Sequence, residues 1–470
     1  MSCPIENYLI DGLLSILMED LERLREGWLE LVKSCRLEEA GSYYWGELFP
    51  YVEKRFLENN KMREEYDWLI LPAGLESSYY ILLINSIKPK NVYFLGTKEF
   101  KDNFLNKIIE KTDLKASQYV VDILDYDEMD VADVYEKIRK RLDLFYNKKV
   151  ILDLTRGKRI MSVGAGIVGA FFGFDLVYVD EEWIDEIKRG KPGTEKLVTV
   201  KNPFEVFGDL EGQEARELFN HYDYGAAIYF YKKLRERIAD PRKIEIEELL
   251  AEAYLHWNSF NFKAAMSKLE GTVRKSKQYN LKISSELYRN LEVLNILNKK
   301  EKDDEFNLHI IVDLYVNALR KAEVGMFEDS VSRLYRVLEL ISQYRLREYG
   351  IETSNADLAK YAGDYKRLTK ELYGFEKEPS FEVGLKDGYL LLFILKDYIV
   401  EGESLEDLRR MFGVIRARDN SIIAHGLELA GEKAFKNMNQ LARKFIGKVC
   451  NKQEKNIEEL IKKHSFVKLI

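Results

Sequence analysis

Two basic side chains near the C-terminus, Arg418 and His425, have types and a spacing that could act on a phosphodiester. A histidine can accept or donate a proton near neutral pH, and a guanidinium group carries a permanent positive charge. The six residues between them span two helical turns, so on a continuous helix both side chains would project from nearly the same face. Together they suit phosphodiester cleavage without a metal ion. The spacing alone equally allows a surface arginine and a helix-ending histidine before Gly426.

A turn in the first half of the chain offers a second set of groups, which is suited to phosphate. It follows a short apolar run and opens a helix, so its backbone amides are free at a helix N-terminus. Its candidate ligand-binding residues are Thr155, Arg156, Gly157, Lys158 and Arg159. An earlier turn of the same kind carries Gly74, Ser77 and Ser78, and Thr97 follows the next apolar run. Ordinary helix capping by Thr155 and Ser77 is the alternative.

A glycine pattern, Gly164-x-Gly166-x-x-Gly169, matches a dinucleotide-binding fingerprint but stands in the wrong place. That fingerprint needs its glycines in the turn directly after a strand, where the backbone approaches a pyrophosphate. Here the strand ends near Leu154, and the glycines fall about two turns inside the following helix. We therefore predict that they allow this helix to pack closely against its neighbours.

The composition indicates a globular protein without a membrane segment. The 470 residues are 46% hydrophobic and 33% charged, and the net charge of -7 excludes a globally basic nucleic-acid coat without excluding a local basic groove. Three cysteines, Cys3, Cys35 and Cys450, form no CxxC pair, which fits a reducing cytoplasm. No apolar run approaches the roughly 20 residues that span a bilayer. Glu6 and Asp11 interrupt the first apolar stretch, so it does not resemble a signal peptide.

The histidines give no indication of a metal site. The chain has five of them and they form no HxH, HExxH or Cys/His cluster, so we predict no zinc and no other metal cofactor. We interpret His221, His256, His309 and His464 as isolated core or surface residues. The sequence has no GxSxG motif of a serine hydrolase, and its acidic pairs are typical of solvated helix faces.

The phosphate-type turns belong to a region where short apolar strands alternate with helices. The predicted strands lie near 67–74, 91–97, 118–124, 149–154, 175–180 and 196–200. The intervening helices are predicted at 76–87, 98–111, 130–144 and 158–172. This alternation predicts a mostly parallel, Rossmann-like sheet. Ligands bind such sheets beyond the C-terminal ends of the strands.

The remainder of the chain reads as helical. Residues 5–60 have apolar positions at helical spacing, and strand signals disappear after Pro203. Helices are predicted near 308–322, 327–348, 389–400 and 404–418, with a Gly- and Pro-containing stretch at 350–388 and two closing helices. We predict an N-terminal helical extension at 1–64, a nucleotide-type α/β domain at 65–204, an all-α connector at 205–304 and an all-α C-terminal domain at 305–470.

Several of these motifs resemble those of one protein family. Arg418-x6-His425, with Asn420 and Ser421 inside it, looks like the R-x4-6-H signature of HEPN ribonucleases. The segment Asp153-x-Thr155-x-Gly157-x-x-x-Met161 resembles the ligand loop of CARF sensor domains, with Arg156 where that loop has its first glycine. The chain thus resembles the Csm/Csx-type CARF–HEPN effectors of type III CRISPR systems, over residues 65–200 and 305–470.

The resemblance implies an allosteric enzyme of antiviral defence. Paired CARF domains would bind a cyclic oligoadenylate, and paired HEPN domains would then cleave single-stranded RNA, so a homodimer is expected. His425 would move protons, Arg418 would stabilise the charged phosphorane, and Asn420 would orient the substrate or the histidine. Analogy favours cyclic tetra-adenylate over cyclic hexa-adenylate as the activator, and the sensor domain could also cleave its own ligand slowly.

Two other classes of protein stay open at this stage. A nucleotide-sensing regulator could bind nucleic acid or protein without cutting it, through a basic helix that carries Arg409, Arg410, Arg416 and Arg418. Residues 205–300 could also serve as a helical scaffold in a purely structural protein. RNA cleavage with and without cyclic oligoadenylate separates the three hypotheses.

Overall fold

A six-stranded sheet is the centre of the first of two structural units in the computed structural model, which divides into residues 1–208 and 209–470. The described residues are 4–300, 303–422 and 426–469, without the side chains of 4–18 and 417. The strands are β1 Trp68–Ala73, β2 Asn91–Gly96, β3 Tyr119–Ile123, β4 Val150–Asp153, β5 Asp175–Asp180 and β8 Lys196–Val200, with a small hairpin of β6 Trp183–Ile184 and β7 Arg189–Gly190. All six predicted strands are confirmed.

The strand order, β3-β2-β1-β4-β5-β8, produces the predicted Rossmann-like arrangement. Every neighbouring pair is parallel except β5 and β8, which pair antiparallel at one edge. Leu69, Leu71 and Phe94 are fully buried because helices cover both faces of the sheet. The turns that follow β1, β2 and β4 therefore meet at one edge, where the polar residues of interest begin.

Helices surround this sheet and form an N-terminal extension. They are α1 Pro4–Lys33, α2 Leu37–Tyr43, α3 Phe49–Asn59, α4 Ser78–Ile87, α5 Lys98–Asn103, α6 Leu105–Thr112, α7 Val131–Arg139, α8 Leu142–Phe145, α9 Arg159–Phe172 and α10 Pro203–Phe207, with a π-helical turn at Tyr44–Leu48. The single helices predicted at 98–111 and 130–144 are each broken in two. Trp28, Phe49 and Phe56 of the extension share one apolar core with Tyr80 of α4. The extension thus packs against the helical face of the sheet.

The glycines of the GxGxxG pattern lie inside α9, as predicted, and they serve packing. A Cβ atom at Gly164 would lie 2.7 Å from Val134 of α7, and one at Gly169 would lie 2.5 Å from Leu176 of β5. Both distances are shorter than any real van der Waals contact, so α9 could not approach its neighbours with larger residues there.

The second unit is helical. Its helices are α11 Asp209–Asn220, α12 Tyr224–Arg237, α13 Arg242–Asn258, α14 Phe262–Gln278, α15 Ser285–Leu297, α16 Asp304–Glu323, α17 Phe327–Glu348, α18 Ala362–Tyr373, α19 Leu385–Ile394, α20 Leu405–Asp419, α21 Glu432–Lys452 and α22 Ile457–His464. Helix α18 lies within the stretch that we read only as rich in Gly and Pro. Its buried residues, Tyr365, Leu368 and Leu372, do have helical spacing, so the signal was present but lay between turn residues. Among the described residues, no helix is long and apolar enough to cross a bilayer.

Two apolar cores hold this second unit together. One joins α11–α15 to the C-terminal Phe466, whose ring stacks on Tyr254 at 4.1 Å between centroids. The other joins α16–α21, with Tyr389 and Phe445 in contact at its centre. The chain end therefore returns to the helices at 209–297, and both segments that we predicted as connector and C-terminal domain lie in one compact unit.

A buried polar cluster links the C-terminal helix to α16, and it corrects one expectation. His309 and His464 are not isolated, because His309 Nδ1 lies 2.9 Å from His464 Nε2. His464 Nδ1 lies 3.2 Å from Asp313 Oδ1, which also accepts a hydrogen bond from Trp257 Nε1 at 2.8 Å. Burial and the neighbouring His464 lower the pKa of His309 to about 4.

This lowered pKa predicts that acid destabilises the fold. His309 is neutral when folded and binds a proton more readily when unfolded, so stability is complete above pH 6.5 and falls as the pH approaches 4. We expect a loss on the order of 3 kcal/mol over this range. Denaturant unfolding at pH 7 and pH 4 measures it. His309→Asn should show a smaller loss than the wild type, and an equal loss would contradict this assignment.

Candidate functional site

The three strand-end turns enclose a cavity of about 260 Å³ at the C-terminal edge of the sheet. Five of the predicted ligand-binding residues line it, namely Gly74, Thr97, Arg156, Gly157 and Lys158. Ala73, Leu75, Glu76, Tyr126 and Met161 complete the wall and were not predicted as ligand-binding residues. We call this the loop cavity. Met161 belongs to the segment that resembles the CARF ligand loop, whereas Tyr126 had no signal in the sequence.

Two glycines allow the loop cavity to form. The backbones of Gly74 and Gly157 approach so closely that a Cβ on Gly74 would lie 2.9 Å from Gly157 Cα and N. Gly157 has a φ of +98°, in a region that side chains disfavour. Tyr80 fixes the first turn, since its hydroxyl accepts from Gly74 N at 2.7 Å and donates to Pro72 O at 3.2 Å. The close approach of these two turns thus depends on glycine at both positions.

The cations of the loop differ in their surroundings. Lys158 Nζ donates to Tyr126 O at 2.6 Å and lies 4.0 Å from the centre of the Tyr126 ring, so it stays beside the cavity. Arg156 donates to Glu181 Oε1 at 2.9 Å and stacks on Tyr79 at 3.8 Å. Arg159 is exposed and does not line the loop cavity. Lys158 is therefore the cation best placed for a phosphate.

The predicted hydroxyl groups are used in several ways. Thr155 Oγ1 donates to Asp153 and accepts from Val179 N at 2.8 Å, so it braces the loop from behind rather than lining the loop cavity. Thr97 caps α5 by accepting from Phe100 N. Ser77 and Ser78 are buried and line a second cavity next to the first. Burial raises the pKa of Asp153 to about 6, although hydrogen bonds from Thr155 oppose that shift.

The second candidate site lies at the end of α20. Ser404 and Asp407 begin this helix with a reciprocal pair of hydrogen bonds, and Arg418 lies in its last turn. The Arg418 guanidinium sits 4.5 Å from the centre of the Tyr335 ring of α17, with 27% of its side chain exposed. Lys386 Nζ donates to the adjacent Asp419 at 2.9 Å. Arg418 is thus held by an aromatic face and keeps part of its guanidinium open to a substrate.

The structure corrects the expectation that Arg418 and His425 share a helix face. Helix α20 ends at Asp419, and the chain then closes a loop, in which Ile422 N donates to Glu428 O at 3.0 Å and Glu428 N donates to Asn420 O at 3.1 Å. His425 lies outside the described residues. Gly426 lies within this loop rather than at a helix end, and a Cβ there would overlap the carbonyl oxygen of Asn420 at 1.8 Å.

Two residues that sequence reasoning missed hold this loop. Glu328 of α17 accepts a hydrogen bond from Ala430 N at 2.6 Å, which ties the C-terminal end of the loop to that helix. Tyr335 supports Arg418, as described above. Asn420 is exposed, whereas Ser421 is buried with its hydroxyl group unpartnered. No group of three or more His, Cys, Asp or Glu able to hold a metal ion occurs among the described residues.

Family models cover most of the second unit. One described as the Csm6 6H domain matches residues 207–311, and one described as the Csm6 HEPN domain matches residues 299–448, which include Arg418 and His425. Over residues 207–448 the chain matches the Csm6 family. The helical region at 299–448 is accordingly a HEPN region, and the helices before it correspond to the family's 6H domain.

Individual relatives agree with this family. The CRISPR system endoribonuclease Csm6 of Thermus thermophilus is 26% identical over 452 residues, which covers 91% of this chain and 96% of that protein. A solved structure, Enterococcus italicus Csm6 bound to cyclic hexa-2'-fluoro-hexa-dAMP, is also similar, with 12% identity and a TM-score of 0.45. It covers 85% of this chain and 100% of that one.

Proposed function

We propose that this chain is a metal-independent endoribonuclease that cleaves single-stranded RNA in type III CRISPR defence and is activated by cyclic oligoadenylate. The observation that carries the proposal is Arg418, supported by Tyr335 beside a closed loop within the region that matches the Csm6 HEPN domain. The regulator hypothesis is less well supported, because Arg409 and Arg410 of the basic helix pair with acids of their own helix, Glu406 and Asp407.

The residues suit cleavage by attack of the ribose 2′-hydroxyl on the adjacent phosphorus. The 2′-oxygen loses its proton as it bonds to phosphorus, and the 5′-oxygen of the next nucleotide leaves and gains a proton. His425 handles these protons, Arg418 stabilises the charge on the equatorial oxygens, and Asn420 orients the substrate or the histidine. The products end in a 2′,3′-cyclic phosphate and a 5′-hydroxyl. A single strand is flexible enough to reach the in-line geometry that this attack needs.

The loop cavity is the proposed place for the activator. Lys158 supplies a cation, and Gly74 and Gly157 let backbone amides approach a phosphate. A ring of several nucleotides is larger than this cavity of about 260 Å³, so one subunit would hold only part of it. We favour cyclic tetra-adenylate over cyclic hexa-adenylate by analogy, and we place the enzyme in the cytoplasm.

Exposed apolar side chains support a homodimer in both units. On α9, Val163, Ile167 and Phe171 are 52%, 46% and 51% exposed and recur every four residues, which forms one stripe beside the ligand loop. Around the loop after Arg418, Leu427 and Leu429 are 91% and 79% exposed. Apolar surface of this kind is typical of an interface, and a second copy would bring two Arg–His sets together.

Replacing Ile167 with aspartate is therefore expected to weaken the dimer. A charge in the middle of the α9 stripe would be desolvated in the interface without a partner, which costs several kcal/mol. Light scattering after size exclusion should show monomer at concentrations where the wild type is dimeric. Tyr146→Asp is the matched control, because Tyr146 is 77% exposed at the opposite end of the strands. Equal masses for wild type and Ile167→Asp would place the interface elsewhere.

RNA cleavage in EDTA, with and without cyclic tetra- or hexa-adenylate, tests the proposed function directly. We expect ligand-dependent fragments ending in 2′,3′-cyclic phosphate. Binding of RNA without cleavage at any ligand concentration would favour the regulator instead.

A further inference from the structure

A larger cavity of about 510 Å³ adjoins the loop cavity, on the side of the N-terminal extension. The two share Leu75, Glu76 and Arg156 as a common wall, so a ligand in one can reach the other. The extension contributes Tyr44 and Trp45 to it, and the β6–β7 hairpin contributes Trp183. We call it the aromatic cavity. These aromatic residues lie outside the phosphate-type turns.

The walls of the aromatic cavity suit a flat ring. Trp183 is 54% exposed, which leaves ring surface open for stacking. Tyr44 and Trp45 contact each other edge to face, with 5.5 Å between their ring centroids. Stacking on such side chains stabilises a bound nucleobase whatever its identity. The cavity could therefore take the base of a nucleotide whose phosphate lies near Lys158.

The polar part of the cavity is a carboxyl group, that of Glu195. Its side chain is only 6% exposed. The carboxyl group accepts hydrogen bonds from backbone amides, including that of Gly193. Burial and the nearby Glu181 raise the pKa of Glu195 to about 7. A protonated carboxyl presents a donor and an acceptor side by side. The amino group and neighbouring ring nitrogen of adenine present the complementary pair.

The other charged groups nearest to Glu195 have partners of their own, so Glu195 is the carboxyl group that can contact a base. Glu181 is engaged by the Tyr79 hydroxyl and by Arg156. Arg25 Nε donates to Pro192 O at 3.0 Å, which directs it to the backbone. The titratable or charged groups that face Glu195 or line its cavity are Arg25, Tyr44, Glu76, Tyr79, Arg156, Glu181, Lys188 and Arg189.

We propose that the aromatic cavity binds an adenine base of the activating ligand, with the N-terminal extension as one wall. The proposal rests on the proposed function, because the ligand is the cyclic oligoadenylate sensed by the loop cavity. It gives the extension a part in ligand recognition. The base stacks on Trp183, and Glu195 in its protonated form reads the amino group and the ring nitrogen.

A pair of glycine variants tests whether the base binds in the aromatic cavity. Gly41 of α2 lines the aromatic cavity, whereas Gly46 of the next turn does not, and a Cβ at either position meets nothing within 4 Å. Gly41→Phe should fill the cavity and weaken binding of cyclic tetra- or hexa-adenylate at least about 10-fold, since stacking and a hydrogen bond are lost. Gly46→Phe should bind as the wild type does. The proposal would be overturned if Gly41→Phe and Gly46→Phe bound the cyclic ligand with equal affinity.

Variants of Glu195 test whether its carboxyl group forms hydrogen bonds with the base. Glutamine also offers a donor and an acceptor, so Glu195→Gln should keep affinity, whereas Glu195→Ala should lose about 5- to 100-fold. Wild-type affinity should fall between pH 6 and pH 8.5 as Glu195 loses its proton, and that of Glu195→Gln should not. A flat wild-type profile would refute the role of Glu195.

The ligands in the assay separate the possible sources of the base. Calorimetric titrations with cyclic tetra-adenylate, cyclic hexa-adenylate, AMP and ATP should show tight binding of a cyclic ligand only. Binding of AMP or ATP at equal affinity, lost in Gly41→Phe, would assign the cavity to a free nucleotide and overturn the proposal as stated. If the wild type binds no cyclic ligand, the proposed function itself fails. If it binds one, and replacing Lys158 with alanine weakens binding whereas Gly41→Phe does not, only the aromatic cavity is misassigned.

Discussion

Replacing His425 with alanine is expected to slow RNA cleavage by about 10²- to 10⁴-fold in the presence of EDTA and saturating cyclic oligoadenylate. The 2′-hydroxyl attack needs a group that accepts a proton and one that donates it, and the variant removes that group from both subunits of a dimer. Initial rates on a labelled single strand measure the loss. Affinity for the cyclic ligand should not change, because the loop cavity lies in the other structural unit.

His221→Ala is the matched control for this experiment. His221 is exposed at the end of α11 and contacts only a backbone carbonyl, that of Glu217 at 2.8 Å. This variant should cleave at the wild-type rate. Full activity of the His425 variant would instead remove the whole Arg–His assignment, since Arg418 alone cannot transfer a proton at neutral pH.

The second large effect concerns activation. Lys158→Ala should raise the concentration of cyclic oligoadenylate that gives half-maximal cleavage by about 10- to 100-fold, which corresponds to one lost charge-assisted hydrogen bond to a phosphate. Cleavage at saturating ligand should be unchanged, because Lys158 is far along the chain from the catalytic residues and acts only through binding. Activation curves at fixed RNA concentration provide the measurement.

Arg159→Ala controls for general electrostatics near the loop. Arg159 has the same charge and is the next residue, but it is exposed and does not line the loop cavity. Its removal should shift the activation curve by no more than a few-fold, as expected for a screened surface charge. Equal shifts in the two variants would indicate that net charge, and not a phosphate contact, governs activation.

The sheet could be predicted because its inner strands are short, continuous apolar runs bounded by turn residues. Leu69, Leu71 and Phe94 are buried from both sides, and such runs bounded by turns identify parallel strands. Residue spacing also placed Gly164 and Gly169 inside a helix rather than in a phosphate turn. The breaks in the helices at Phe104 and Arg141 were missed, since no Gly or Pro marks them.

The catalytic motif shows what local spacing cannot provide. Arg418 and His425 were expected on one helix, but the helix ends at Asp419, where backbone pairing with Glu428 replaces the helical hydrogen bonds. The bond from Ala430 N to Glu328 joins this loop to α17, between residues that are 102 positions apart in the sequence. The support of Arg418 by Tyr335 is likewise a contact between distant segments.

By itself, the sequence determined which residue types could do chemistry and which strand ends would carry them. Gly74, Gly157 and Lys158 meet in one cavity because parallel strands place all their carboxyl ends at one edge. Only the tertiary structure decided which hydroxyl groups and cations remain available, since Thr155 and Arg156 are already engaged by Val179 and Glu181. It also brought Tyr44 and Trp45 next to the sensor edge, because packing of an amphipathic extension depends on surfaces that no local pattern encodes.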